Sequence, residues 1–139
     1  PASALTSFER ASKLRPDFWE AINNQGLVLF ELGRQDEALQ RWRQVLKIKP
    51  DAAETTLAMA TGLEVKGGTA NRSEAIRLAS QALANDPNYV LDRYRKEQLW
   101  GERLRAATRA LLAQPELKPS VDRASANASL PGEKTEGGR

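Results

Sequence analysis

The stretch LKIKPDAAE, Leu46 to Glu54, closes on a Pro-Asp-x-x-Glu phrase that occurs earlier in LRPDFWE, Leu14 to Glu20. Pro16-Asp17-x-x-Glu20 returns as Pro50-Asp51-x-x-Glu54, an interval of 34 residues (50 − 16). A fixed period of that size marks stacked supersecondary units, each burying its apolar face on the next. The phrase has a local task. Proline ends one helix, the Asp side chain accepts from a free N–H of the next, and the Glu reaches back in a capping box. Pro16 and Pro50 are therefore expected at helix-to-helix joints. A third joint is expected in NDPNYV, Asn85 to Val90, with Asn88 as the cap, after an interval of 37 residues (87 − 50).

The longer interval has a clear location. Aligning Glu37-Ala38-Leu39 with Glu74-Ala75-Ile76 places the insertion at Gly67 and Gly68, where the preceding unit has only Gly33. Such an insertion belongs in a turn, where added length costs little. Between the joints, apolar residues recur at spacings of three and four, then a glycine turn, then another such run. Ile22, Leu29 and Leu32 precede Gly33, and Ala38, Leu39, Trp42, Val45 and Leu46 follow it. Met59, Ala60 and Leu63 precede the second turn, with Ala75, Ile76, Ala79, Ala82 and Leu83 beyond it. Each unit reads as a helix-turn-helix hairpin.

These residues carry a resemblance to the tetratricopeptide (TPR) repeat family. Gly26 in the first helix, Gly33 in the turn, Ala38 opening the second helix, Trp42, Val45 and Pro50 match the family pattern, and Ala60 and Ala75 take the same places in the next unit. Ala4, Phe8, Ala11 and Pro16 match the end of a preceding unit. The sequence departs from the pattern at Ile22 and Thr56, where the family has an aromatic, and at Ala79, where it has a large residue. The closing LWGERLRAATRALL, Leu99 to Leu112, resembles the end of cyanobacterial-type TPR proteins.

The resemblance implies an all-α, antiparallel helix-hairpin solenoid, a TPR-like right-handed superhelix. Residues 1–16 would be the second helix of a partial repeat, 17–50 a full repeat, 51–87 a repeat with a turn insertion, and 88–114 a capping helix pair with Leu104, Ala107 and Leu111 inward. Residues 115–139 contain few large apolar side chains and are expected to form a flexible tail or linker. Because the chain opens on Pro1 without a leader pattern, it reads as a piece of a longer protein.

Composition narrows the chemistry. The 139 residues include no cysteine and no histidine, which removes thiolate and Ser-His-Asp nucleophiles and most transition-metal ligands. The apolar run GLVLF, Gly26 to Phe30, is far short of the roughly 20 residues that span a bilayer. GLEVKGGT, Gly62 to Thr69, has phosphate-loop glycines, but Gly68 stands where the lysine belongs and a helix precedes it. Glu20, Glu31, Glu54 and Glu64 form no convincing acid–base pair, since Glu20 and Glu54 are assigned to capping. The chain is read as non-catalytic, without cofactor or metal, and cytoplasmic or on the cytoplasmic face of a membrane complex.

The TPR resemblance implies a concave groove lined by the first helices. Here that face should present Glu20, Asn23, Leu27, Phe30 and Glu31, then Glu54, Leu57, Thr61 and Glu64, and from the final pair Tyr94, Arg95 and Gln98. Leu27, Phe30 and Leu57 would make an apolar strip between carboxylates, suited to a peptide or partner protein with apolar anchors and some basic residues. A TPR subclass that grips chaperone tails uses asparagines and cations on this face. Asn24 and Arg95 fit that use, but Glu54 and Ala58 oppose it.

The expected role is therefore an interaction scaffold in a multi-protein complex, or a regulatory or targeting module of a larger enzyme. A rival reading rests on the formal charge of +3, which is matched by the excess between Leu91 and Ala113. Arg93, Arg95, Lys96, Arg103, Arg105 and Arg109, interleaved with Tyr94 and Trp100, would suit a nucleic acid or anionic surface. A solvated capping helix explains them more simply, so nucleic acid is disfavoured as a partner.

Overall fold

The computed structural model describes residues 2–129. In chain order the helices are α1 (Ala2–Leu14), α2 (Trp19–Glu31), α3 (Gln35–Ile48), α4 (Ala53–Lys66), α5 (Thr69–Asn85), α6 (Asp92–Glu97), α7 (Glu102–Leu112) and α8 (Lys118–Asn127). Short 3₁₀ turns at Pro87–Val90 and Pro115–Leu117 join the later ones. The described residues contain no strand, and consecutive helices α1 to α5 pack on one another, as expected for stacked hairpins.

The helices form where the sequence supplies their faces. On α3 the buried Ala38, Leu39, Trp42 and Val45 form one stripe, while Asp36 and Glu37 occupy the first turn, where the helix dipole favours negative charge. Gly33 adopts φ 83°, a left-handed conformation that lets Arg34 N–H return to the carbonyl of Leu29 and closes α2. Gly67 and Gly68, at φ 85° and 96°, carry the inserted turn between α4 and α5. By contrast α4 has no polar side along most of its length. Thr55, Thr56, Leu57, Ala58, Ala60, Thr61, Gly62 and Leu63 are all buried, because α3, α5 and α7 surround it.

Close approach explains the small residues. A Cβ on Gly26 would collide with the indole of Trp42, and one on Gly62 would lie 2.8 Å from Leu39 Cδ2. The indole thus rests on the α2 backbone, with its Nε1 buried and without a hydrogen-bond partner.

Two local expectations are corrected. The Pro-Asp-x-x-Glu phrases do lie at joints, but not through capping boxes. Phe18 and Ala52 hold the N-cap positions of α2 and α4 without side-chain caps, and Asp51 pairs with Lys49 at 2.8 Å. At the third joint Asp86, not Asn88, receives the N–H, that of Asn88 itself at 3.1 Å.

The segment from residue 115 also departs from expectation. Residues 115–128 are not a flexible tail. Leu117 is buried beside Leu104 and Leu111 in the main core, α8 packs on α5 and on the Pro87–Val90 turn, and the hydroxyls of Ser80 and Ser120 meet at 2.9 Å. The low apolar content concealed one stripe, Leu117, Val121, Ala124 and Ala128, at helical spacing. That stripe buries enough surface to order α8. Residues 130–139, the remainder of the expected tail, lie outside the described residues. Among the described residues no helix is long and apolar enough to cross a membrane.

Candidate functional site

The face expected to be an open groove is filled by the chain itself. After α5 the backbone turns through Pro87–Val90 and α6, then lays α7 across α4 and onto α2. Leu27, Phe30 and Leu57 are buried together with Leu104, Trp100 and Leu111. The apolar strip therefore does not line an open binding surface. It is core, because an amphipathic helix of the same chain covers it.

Polar contacts fix this lid at three points. The Glu31 carboxylate accepts from Arg103 N–H (3.0 Å) and Leu104 N–H (2.9 Å), supplying the N-terminal cap of α7 from another helix. Gly101 is small for the same reason, since a Cβ there would strike the Glu31 side chain. Midway along α7, the Thr61 and Thr108 hydroxyls share a hydrogen bond of 2.8 Å in full burial. Ahead of α7, Trp100 Nε1 donates to Glu54 Oε2 at 3.0 Å. Burial pushes the Glu54 carboxyl above the usual range, against the opposing pull of hydrogen bonds from Trp100, Asn23 and Tyr89. Burial, followed by the nearby Glu54 charge, raises the Tyr89 phenol.

What stays open is a notch at the N-terminal ends of α2 and α4. Trp19, Glu20, Asn23, Asn24, Glu54, Glu97, Gln98 and Leu99 line it. Five of the expected groove residues meet here: Glu20, Asn23, Asn24, Glu54 and Gln98. Asn23 forms the buried floor, held by a 2.6 Å hydrogen bond from Thr55 Oγ1. Three carboxylates and no cation line the notch, so it favours positive charge. On its rim Leu99 is 76% exposed and sits at φ 71°, a left-handed conformation that costs a leucine roughly 1–2 kcal/mol.

The remaining expected residues lie elsewhere. Glu64 pairs with Arg72 at 3.4 Å beyond the lid, and Tyr94 stacks edge-on against Tyr89 with centroids 4.9 Å apart. Arg95 is buried rather than displayed. It donates to the Tyr89 carbonyl at 2.7 Å, and burial lowers its guanidinium to about 10.

The expected cationic patch is likewise dispersed. Asp92 gathers Arg105 (2.9 Å), Arg109 (3.0 Å) and Arg95 (3.4 Å), and Glu102 contacts Arg105 and Arg109. Arg105, the nearest donor, heads the causes that hold the Asp92 carboxyl below its ordinary range. Arg103 reaches back to the Gly33 turn, while Arg93 and Lys96 lie exposed on α6. These guanidiniums brace α6 against α7 and do not form one phosphate-binding face.

Sequence reading missed Trp19, Glu97 and Leu99 in the notch, and Trp100 and Thr108 in the lid. Nothing local distinguishes Leu99 from a core leucine. Among the described residues no group of His, Cys, Asp and Glu side chains is arranged to hold a metal.

A family model described as TPR repeat matches residues 26–60, the second half of α2, all of α3 and the first half of α4. The match ends well before the Leu99–Leu112 segment. No curated protein matches the sequence.

Proposed function

This chain is a TPR-repeat protein, a family whose members serve as protein–protein interaction modules, and on that premise we propose that it is a non-catalytic adaptor that receives a basic partner segment at the notch. The carrying observation is the assembly of Glu20, Glu54 and Glu97 around Asn24 and Gln98, with apolar Trp19 and Leu99 at its edge. A segment with a lysine or arginine beside an apolar side chain satisfies both features. The filled groove argues against an extended peptide along Leu27, Phe30 and Leu57. No observation favours nucleic acid, since Arg95 and Arg105 are internal struts.

The test is affinity capture with the wild type beside a Glu20→Lys, Glu97→Lys variant of equal helicity. Both positions are exposed, so the fold should persist. Loss of partners from the variant supports the notch; identical partner sets remove it. Charge changes at Leu27 or Leu57 are unsuitable, because they would unfold the core.

A further inference from the structure

The notch has a complement on the same end of the same molecule. Leu14 and Leu99, at 78% and 76%, far exceed the other exposed large apolar side chains, which lie near 40%. Their surroundings carry opposite charge. Leu14 ends α1 among exposed Arg10, Lys13 and Arg15, with Asp17 the one carboxylate in the following turn. Among the described residues neither Arg10, Lys13 nor Arg15 makes an ion pair. Leu99 stands among Glu20, Glu54 and Glu97.

The two patches are neighbours. Arg15 lies over the Phe18 ring at 4.7 Å, Phe18 precedes α2, and Trp19, the first residue of α2, already lines the notch. Patches at opposite ends would link copies head to tail. Patches at one end let two copies face each other about a two-fold axis, each contact occurring twice.

Resting on the notch reading above, we propose that the partner is a second copy of this chain, with Lys13-Leu14-Arg15 of each copy seated against the Glu20–Glu97–Leu99 notch of the other. The leucines supply the apolar contact and the charges set orientation and salt sensitivity. The left-handed Leu99 is then explained, because the strain holds an apolar side chain outward for the neighbouring copy.

Sedimentation velocity and light scattering across a concentration series test this directly. The wild type should show a monomer–dimer equilibrium that weakens at high salt. Glu20→Lys, Glu97→Lys and, separately, Lys13→Glu, Arg15→Glu should each be monomeric, yet an equimolar mixture should recover the dimer, since both contacts are then complementary. Leu99→Gly offers a check free of charge effects: it relieves backbone strain, so stability holds or rises while association falls. A wild type that stays monomeric, variants that still self-associate, a mixture that does not recover, or growth into open chains would each overturn the proposal. A monomeric wild type whose notch still captures another partner would remove only this inference and leave the proposed function standing.

Discussion

The Glu31 carboxylate, at the end of α2, caps α7 by accepting from the N–H groups of Arg103 and Leu104 at 3.0 and 2.9 Å. One side chain thereby joins helices more than seventy positions apart in the chain. Replacing it by Ala removes the cap and should cost about 1 kcal/mol in urea unfolding. Hydrogen exchange at Arg103 and Leu104 should accelerate while that in α3 does not. Unchanged protection of those amides would show that the cap contributes nothing.

Gly26→Ala places a methyl group on the Trp42 indole, which has no room to withdraw. Overpacking of this kind costs roughly 1–3 kcal/mol. Thermal unfolding should show a marked fall in Tm. A substitution at Gly67, where a Cβ would meet nothing, should cost only the roughly 1–3 kcal/mol of placing a side chain at φ 85°, ψ 177°, a region essentially reserved for glycine.

Thr61 and Thr108 satisfy each other in a fully buried pair. Thr61→Val strands the Thr108 hydroxyl, at a cost of about 1–3 kcal/mol, whereas Thr108→Val leaves Thr61 donating to the Leu57 carbonyl at 3.1 Å and should cost less; changing both should cost less than the sum. Denaturant unfolding of the four-protein cycle measures the difference. Strictly additive losses would mean the two hydroxyls are not coupled.

Glu54 links stability to pH. Its folded-state carboxyl is raised above the ordinary 4.5, with burial the largest cause. A raised carboxyl contributes stability that is complete below the unfolded value and is lost as pH rises through the folded one. Relative to Glu54→Gln, the wild type should therefore lose stability as pH rises upward from 4.5. Asp92 works in the opposite sense, its lowered carboxyl losing its contribution as pH falls, but it is common to both proteins and cancels. Urea midpoints across the acidic range, plotted as a difference, check the sign.

Leu117 tests whether the C-terminal helix belongs to the core. Full burial predicts that Leu117→Ala costs about 2–5 kcal/mol, the range for an interior leucine. A surface-tail leucine would show almost none of this.

Much of the fold was legible in the chain. Apolar spacing placed α2 to α5, and Gly33 and Gly67-Gly68 placed their turns; that Gly26 makes room for the Trp42 indole of its own hairpin is visible only in the structure. The capping chemistry was not legible, because Asp51 had a nearer cation in Lys49 and Glu54 a distant donor in Trp100. For the site, sequence spacing selected the faces of α2 and α4 but could not say what would cover them. Leu27 and Leu57 look the same on an open groove as under a helix. Glu20, Asn24 and Gln98 remained accessible only because α7 crosses α2 and α4 beyond the notch.

The sequence by itself determined that this protein is built from helical hairpins repeating at about one period, since apolar periodicity and turn glycines act within a few residues of themselves. Only the tertiary structure decided where α6, α7 and α8 go. That placement rests on contacts between distant residues: Glu31 with the start of α7, Thr61 with Thr108, Trp100 with Glu54. Each of these side chains has several plausible local partners, and the choice among them follows from which apolar faces meet.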